Sequence, residues 1–250
     1  VTAGEGILPS QDLRALVAAG VIRAAAPLSE GQIQPASLDL RLGAEAFRVR
    51  ASFLAGGGRT VAERLEEFAM HRIDLRAGAV LEKGCVYLVP LQERLALPPD
   101  LAAVANAKSS TGRLDLLTRA IVDGGTEFDR IPAGYAGPIW AEICPRSFSV
   151  LARAGMRLNQ LRLRRGRAAL DDEALRRLHA ETPLVDGPAL VDGGLGFSVD
   201  LRPAAGRAGW RAKPHAGVID LDRIGAYDPA DFWEEVHARD GAIILDPGAF

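Results

Sequence analysis

The alternation of apolar and polar positions along this chain changes period several times, and the changes outline its organisation. Ser10 stands where a helix cap belongs, and Leu13, Leu16 and Val17 then share one helical face, predicting a short helix that ends near Gly20. From Ser37 the period drops to two, and Ser37-Leu38-Asp39-Leu40-Arg41-Leu42 reads as a half-buried strand. Gly56-Gly57-Gly58 marks a loop, and residues 61–69 read as one or two further helical turns. Short apolar runs then follow at 80–81, 85–90, 101–105, 116–122, 139–143, 149–151 and 158–163, separated by Gly, Pro, Asp and Asn. Many short strands with few helices predict a mainly β fold, a barrel or a double sheet. The lack of βαβ alternation argues against a Rossmann-like sheet.

The pattern breaks near residue 164. Arg164-Arg165-Gly166-Arg167 is a basic turn, 171–180 a charged helix with Leu170, Leu175 and Leu178 as its apolar positions, and 183–194 is rich in Gly and Pro. Beyond it the first part begins again. Ser198-Val199-Asp200-Leu201-Arg202 echoes Ser37-Leu38-Asp39-Leu40-Arg41, Ile219-Asp220-Leu221 echoes Ile73-Asp74-Leu75, and Leu245-Asp246-Pro247-Gly248 echoes Leu81-Glu82-Lys83-Gly84. Three echoes in one order are the signature of a duplicated fold. The expected division is a β domain at 1–165, a connector with a short helix at 166–195, and an incomplete second repeat of the same fold at 196–250. The second copy would stop inside its counterpart of the Cys85 strand, as a fragment or a partial copy.

Composition narrows the function classes. With 250 residues, 48% hydrophobic and 25% charged, the chain can bury a sizeable core. A net charge of −2 gives no basic field for nucleic acid. No apolar run approaches the roughly 20 residues that span a bilayer, and the start of the chain shows no secretory signal. Cys85 and Cys144 sit in apolar runs and read as two buried free thiols of a reducing, cytoplasmic compartment. His71, His179, His215 and His237 are scattered and no C-x-x-C occurs, which argues against a zinc site, and the H-x-E…P-C-x-x-C deaminase pattern is absent. A G-x-S-x-G elbow and a Walker loop are absent as well.

Two places carry candidate chemistry. Lys108-Ser109-Ser110-Thr111-Gly112-Arg113 packs an ammonium, three hydroxyls, a guanidinium and the backbone around a glycine into six residues, which suits a phosphate and equally suits a solvated turn. Glu142, amid Ile139, Trp140, Ala141, Ile143 and Cys144, either points outward from a strand or lies in a pocket tuned for proton transfer. Between them the Asp123-Gly124-Gly125 and Pro132-Ala133-Gly134 turns bracket 126–131, a hairpin that could present Arg130 to a ligand or leave it as a surface cation.

At these residues the sequence resembles the deoxycytidine triphosphate deaminase family of the trimeric dUTPase-like superfamily. The likeness runs from about Ile7 to Leu163. It includes Pro35-Ala36-Ser37-Leu38-Asp39-Leu40-Arg41-Leu42-Gly43, Leu97-Pro98-Pro99-Asp100-Leu101, Lys108-Ser109-Ser110-x-x-Arg113, Gly134-Tyr135-x-Gly137 with Glu142, and Gly155-Met156-Arg157-Leu158-Asn159-Gln160-Leu161. The resemblance implies a dUTPase-like distorted β-barrel or jelly roll (β-clip) with a few short helices, in a long tandem form. It implies metal-independent hydrolytic deamination of dCTP to dUTP and ammonia, feeding dTTP synthesis. Glu142 would be the general acid/base, Ser109 would position the water, and Arg113 would fix the base. Lys108 and Ser110 would hold phosphates, with Thr111, Gly112, Arg130 and Gln160 also binding substrate and the backbone of Trp140 and Ala141 lining the base pocket. No cofactor would be held by side chains, and Mg²⁺ would arrive on the triphosphate. The family assembles as a homotrimer with sites between subunits, which here becomes a trimer or a pseudo-trimeric assembly of repeats, without nucleic acid or membrane. The alternatives are dUTP diphosphatase activity and a non-catalytic nucleotide-binding or structural trimer.

Three departures stand out. Lys108 replaces the family's Arg and lacks its planar fork. Pro132 replaces the sugar-binding Asp, with Asp129 nearby as a substitute. The tail that closes over the triphosphate has no match after Leu163, leaving another part of the chain to replace it.

Overall fold

A computed structural model describes residues 4–202, 206–245 and 247–248. The first three residues of the N-terminal reading, and Asp246 in the last of the three echoes, lie outside the described residues. The described chain forms two compact units, one of residues 1–166 with 213–232, the other of 167–212 with 233–250.

Two sheets make up most of the first unit. One runs in the order Arg130–Ile131, Leu101–Ala107, Arg157–Arg165, Ser37–Arg41, Ile33–Gln34. The other runs Leu116–Val122, Ala136–Pro145, Val86–Ala96, Glu45–Val49, Ala69–Asp74. The fold is mainly β as expected, but neither strand order returns on itself, so the barrel expected from the sequence is not closed among the described residues. A third, smaller sheet places Val150–Ala152 between Ala79–Leu81 and Ile219–Asp220.

The alternating segment at Ser37 is not half-buried. All five residues of the Ser37–Arg41 strand are buried, and its charged side chains are matched inside the protein. Glu93 accepts the backbone N–H and the Nε–H of Arg41, each at 2.8 Å, and the Nε2 of Gln32 at 2.7 Å. Asp39 accepts Lys108 Nζ at 2.7 Å and Gln160 Nε2 at 3.1 Å. Burial of charge is tolerated because each group has a partner.

The helix Val61–Phe68 begins at a capping box, in which Thr60 Oγ1 accepts the Glu63 N–H and Glu63 Oε2 accepts the Thr60 N–H. Asp123 Oδ1, at the end of the Leu116–Val122 strand, accepts the Val61 N–H at 2.8 Å and ties the helix to the second sheet. Val61 and Leu65 join Val49, Phe53, Ala55, Leu88 and Ile121 in a buried cluster over one face of that sheet.

In the second unit, Asp171 caps the helix Asp172–Glu181 by accepting the Ala174 N–H, close to where the sequence places it. Arg207–Ala212 pairs antiparallel with Trp233–His237. Residues 198–202, the echo of Ser37–Arg41, form no strand, and Val199 is exposed. Ile219–Asp220, the second echo, is a strand and lies parallel to Val150–Leu151 within the first unit.

Candidate active site

Glu142 sits in the middle of the Ala136–Pro145 strand. Strand register places Arg119 opposite it on one side and Leu88 on the other, with Phe47 beyond Leu88. Side chains two apart on a strand share a face, so Trp140 lies on the same face, opposite Ile121. That is the face roofed by the apolar cluster of residues 49–65, against which Phe47, Phe68, Phe128 and Trp140 also pack. Glu142 therefore points inward and is only 3% exposed.

The buried carboxylate is held at both oxygens. Ser52 Oγ donates to Oε2 at 2.6 Å. Arg119 donates to Oε1 from Nε at 3.1 Å and also from Nη2, and Nη2 reaches Ser52 Oγ at 3.1 Å. The Arg119 guanidinium stacks on Phe128, 3.6 Å from the ring centroid, which fixes its plane. Close by, the indole Nε1 of Trp140 is buried without a hydrogen-bond partner. An orphaned donor of this kind costs about 1–3 kcal/mol until an acceptor arrives.

The hairpin after the Arg119 strand is pinned by Tyr135. Its hydroxyl donates to the Pro138 carbonyl at 2.6 Å and accepts the Asp123 N–H at 3.3 Å, and burial pushes its pKa up to about 12. A side chain at Gly137 would collide with that hydroxyl, which explains the glycine. Asp129, at φ +63°, accepts the Ala120 N–H at 2.7 Å through Oδ1, and burial raises its pKa although Arg119 pulls it down. One oxygen of the suggested sugar ligand is therefore committed to closing the hairpin. Pro132 and Arg130 are exposed, and Arg130 pairs with Glu127 at 2.7 Å.

The Lys108–Arg113 segment has a different character. Ser109–Gly112 is a single helical turn, Thr111 is buried with its hydroxyl donating to the Lys108 carbonyl, and Ser109, Ser110 and Arg113 are exposed. Among the described residues their side chains have no hydrogen-bond or ion-pair partner, and neither Ser109 nor Arg113 is among the partners of Glu142. Lys108 and Gln160, in contrast, are brought together on Asp39, with Arg157 3.8 Å from the same carboxylate. Lys108, Ser110, Thr111 and Arg157 line a cavity of about 470 Å³ that also takes in Arg153, Gly155, Met156, Leu221 of the second echo, and Asp222 and Ile224 just beyond it.

Sequence reasoning missed Ser52 and Arg119. Arg119 left a signal, a lone cation in the otherwise apolar-rich run Leu116-Leu117-Thr118-Arg119-Ala120-Ile121-Val122. Ser52 left none, since it stands in a loop 90 residues from Glu142. Both cysteines are free, as expected, but half-buried rather than buried, and partial burial raises the pKa of Cys144.

Residues 4–167 match the family described as the 2′-deoxycytidine 5′-triphosphate deaminase (DCD) N-terminal domain, and residues 171–250 match the corresponding C-terminal domain. A dCTP deaminase of Natronomonas pharaonis is 31% identical over 159 residues, 62% of this chain and 78% of the relative. A dUMP-forming dCTP deaminase of a Parafrankia species is 32% identical over 156 residues, 62% of this chain and 74% of the relative. The crystal structure of 2′-deoxycytidine 5′-triphosphate deaminase from Agrobacterium tumefaciens is 48% identical and superimposes with a TM-score of 0.93, covering 99% of this chain and 75% of that one. The apolar packing around a clamped glutamate, the cationic cavity beside a Ser-Ser turn and the match of both domains lead to one conclusion: the chain belongs to the 2′-deoxycytidine 5′-triphosphate deaminase family.

Proposed function

We propose that the chain catalyses the hydrolytic deamination of dCTP, water adding to C4 of the cytosine and ammonia leaving to give dUTP. The observation that carries this reading is Glu142, a buried carboxylate held by Arg119 and Ser52 on a sheet face otherwise covered by apolar side chains. Cytosine is electrophilic at C4 only when N3 gains a proton as water attacks. One carboxylate that takes the proton from water, gives it to N3 and then serves the departing amine does all three jobs. Arg119 and Ser52 hold Glu142 in position through this cycle, and the orphaned indole of Trp140 offers a donor to the pyrimidine.

Ser109 orients the water and Arg113 steadies the base. Both are exposed and unengaged, which supports a site completed between copies of the chain, the Ser109–Arg113 turn of one copy facing Glu142 of another. Lys108, Ser110, Thr111, Gly112 and Gln160 take the triphosphate, which brings its own Mg²⁺, and the reaction belongs to the cytoplasmic nucleotide pool.

The test is incubation with dCTP, following ammonia and pyrophosphate together. Ammonia with dUTP supports the proposal. Ammonia together with pyrophosphate and dUMP would align the chain with relatives such as the Parafrankia enzyme. Pyrophosphate without ammonia would make it a diphosphatase and overturn the reading, and neither product would leave a nucleotide-binding protein.

A further inference from the structure

The cavity at Lys108 is walled on one side by a segment the sequence places in the second repeat. Residues 213–232 are strapped to the first unit at several points. Ile219 is buried, pairs with Val150 in a parallel ladder, and donates its N–H to the Ser149 carbonyl at 3.0 Å. Phe232 is buried and meets Phe148 and Tyr227 edge to face, at 5.7 and 5.3 Å between centroids. The Tyr227 hydroxyl accepts the Asp220 N–H at 2.7 Å.

Arg153 connects this strap to the cavity. Its Nη1 and Nη2 donate to the two oxygens of Asp220, at 2.7 and 3.0 Å, a bidentate pair. The same Nη1 donates to Asp222 Oδ2 at 2.8 Å. The two carboxylates have different settings. Asp220 is mostly covered and belongs to the strand, whereas Asp222 is exposed and lines the cavity with Lys108, Arg157 and Ser110. Asp222 is the only carboxylate among the lining residues, against three cations. It sits where an anionic ligand of the cavity would meet Arg153.

We propose that Arg153 is a phosphate-binding residue of this cavity, and that Asp222 competes with phosphate for its Nη1. An incoming phosphate oxygen replaces Asp222 Oδ2 on Nη1, while Asp220 keeps its bidentate grip and the strap stays docked. No covalent bond changes. The strap thereby sets how strongly the cavity discriminates in favour of polyphosphate, because a weakly charged ligand cannot displace a carboxylate that is tethered beside its partner. The inference rests on reading the Lys108 cavity as the site of the triphosphate.

Inorganic tripolyphosphate, titrated calorimetrically in chelator-treated buffer, tests it without base recognition or Mg²⁺. Asp222→Asn removes the competing charge and is expected to tighten binding about tenfold, the order of effect of one nearby unit charge at a partly exposed site. In an Arg153→Gln background the same substitution should give no gain, since the gain is made at Arg153. Equal or weaker binding by Asp222→Asn, or a gain that survives Arg153→Gln, overturns the proposal. Lys108→Ala separates the underlying reading. If it weakens tripolyphosphate binding while Asp222→Asn changes nothing, the cavity is the phosphate site and only the competition is wrong. If Lys108→Ala has no effect, the cavity reading falls and the competition with it. Amide exchange at Ile219 should remain slow in Asp222→Asn, and loss of that protection would show that the variant had undocked the strap instead.

Discussion

Around Glu142 the carboxylate is fully engaged and apolar side chains close the face, whereas around Lys108 the hydroxyls of Ser109 and Ser110 and the Arg113 guanidinium have no partner among the described residues. The first region resembles a protein interior and the second a surface awaiting an anion. The contrast suits the roles proposed for the two regions. A proton-transfer group needs a dry setting in which a few neighbours govern its charge. A triphosphate arrives hydrated and multiply charged, and is met by cations in an open cavity. Within the described chain Ser109 is not among the partners of Glu142.

The hardest test of that contrast is Glu142→Gln. The amide keeps the shape, and its oxygen can still accept from Arg119 while its NH2 donates to Ser52 Oγ, but it cannot shuttle a proton. Turnover of dCTP should fall about 10³-fold, while nucleotide binding, which depends on the Lys108 region, changes little. Equal losses in turnover and binding would show that the two regions are not separate in function. Steady-state rates with calorimetric binding read both quantities.

Arg119→Met comes next and bears on stability. It preserves the bulk of the stem but leaves Glu142 buried without its cation. Removing one partner of a buried pair costs about 3 kcal/mol, or a fall in melting temperature of about 6–12 °C for a chain of this size. A melting temperature within a degree of the parent would mean that the pocket is wetter than its 3% exposure indicates. Ser52→Ala removes one hydrogen bond to an oxygen whose neighbour still holds Arg119. Its expected cost is about 1 kcal/mol, with a several-fold loss of turnover.

How far the sequence revealed these regions depended on distance along the chain. The strands at 116–122 and 139–143 were legible because apolar runs between Gly and Pro signals leave few alternatives, but the apolar neighbours of Glu142 left its burial as one of two readings. The strand Ala69–Asp74 was not, because almost every residue in it is exposed and no apolar period marks it. The Arg119–Glu142 pair required the register of two strands, and Ser52 required the path of a loop, neither of which is encoded locally. The buried Ser37–Arg41 strand misled in the opposite way: polar residues at alternate positions normally face water, but here Asp39 and Arg41 find their partners in Lys108, Gln160 and Glu93. The strap at 213–232 echoes an early segment, and its local pattern carries no sign that it docks on the first unit.

That strap gives the gentlest test of the comparison, because it extends the open, charged region with ion pairs that water can reach. The Arg153 guanidinium holds the Asp220 carboxyl down to about 2, against an ordinary value of 3.8. A carboxylate whose folded pKa is depressed adds stability that is fully present above its unfolded value and is lost as pH falls through the folded one. Docking of 213–232 should thus be unchanged from neutrality to about pH 4 and weaken between about pH 4 and pH 2. The effect should be small, since exposed pairs contribute little and the Ile219 ladder and Phe232 contacts do not titrate. Amide exchange at Ile219, corrected for the intrinsic pH dependence of exchange, reads it directly, and Asp220→Asn should abolish the pH step. Exchange at Ala141 and Ile143 that accelerated in step with Ile219 would show that strap and pocket open as one unit, and the two-region description would then have to be abandoned.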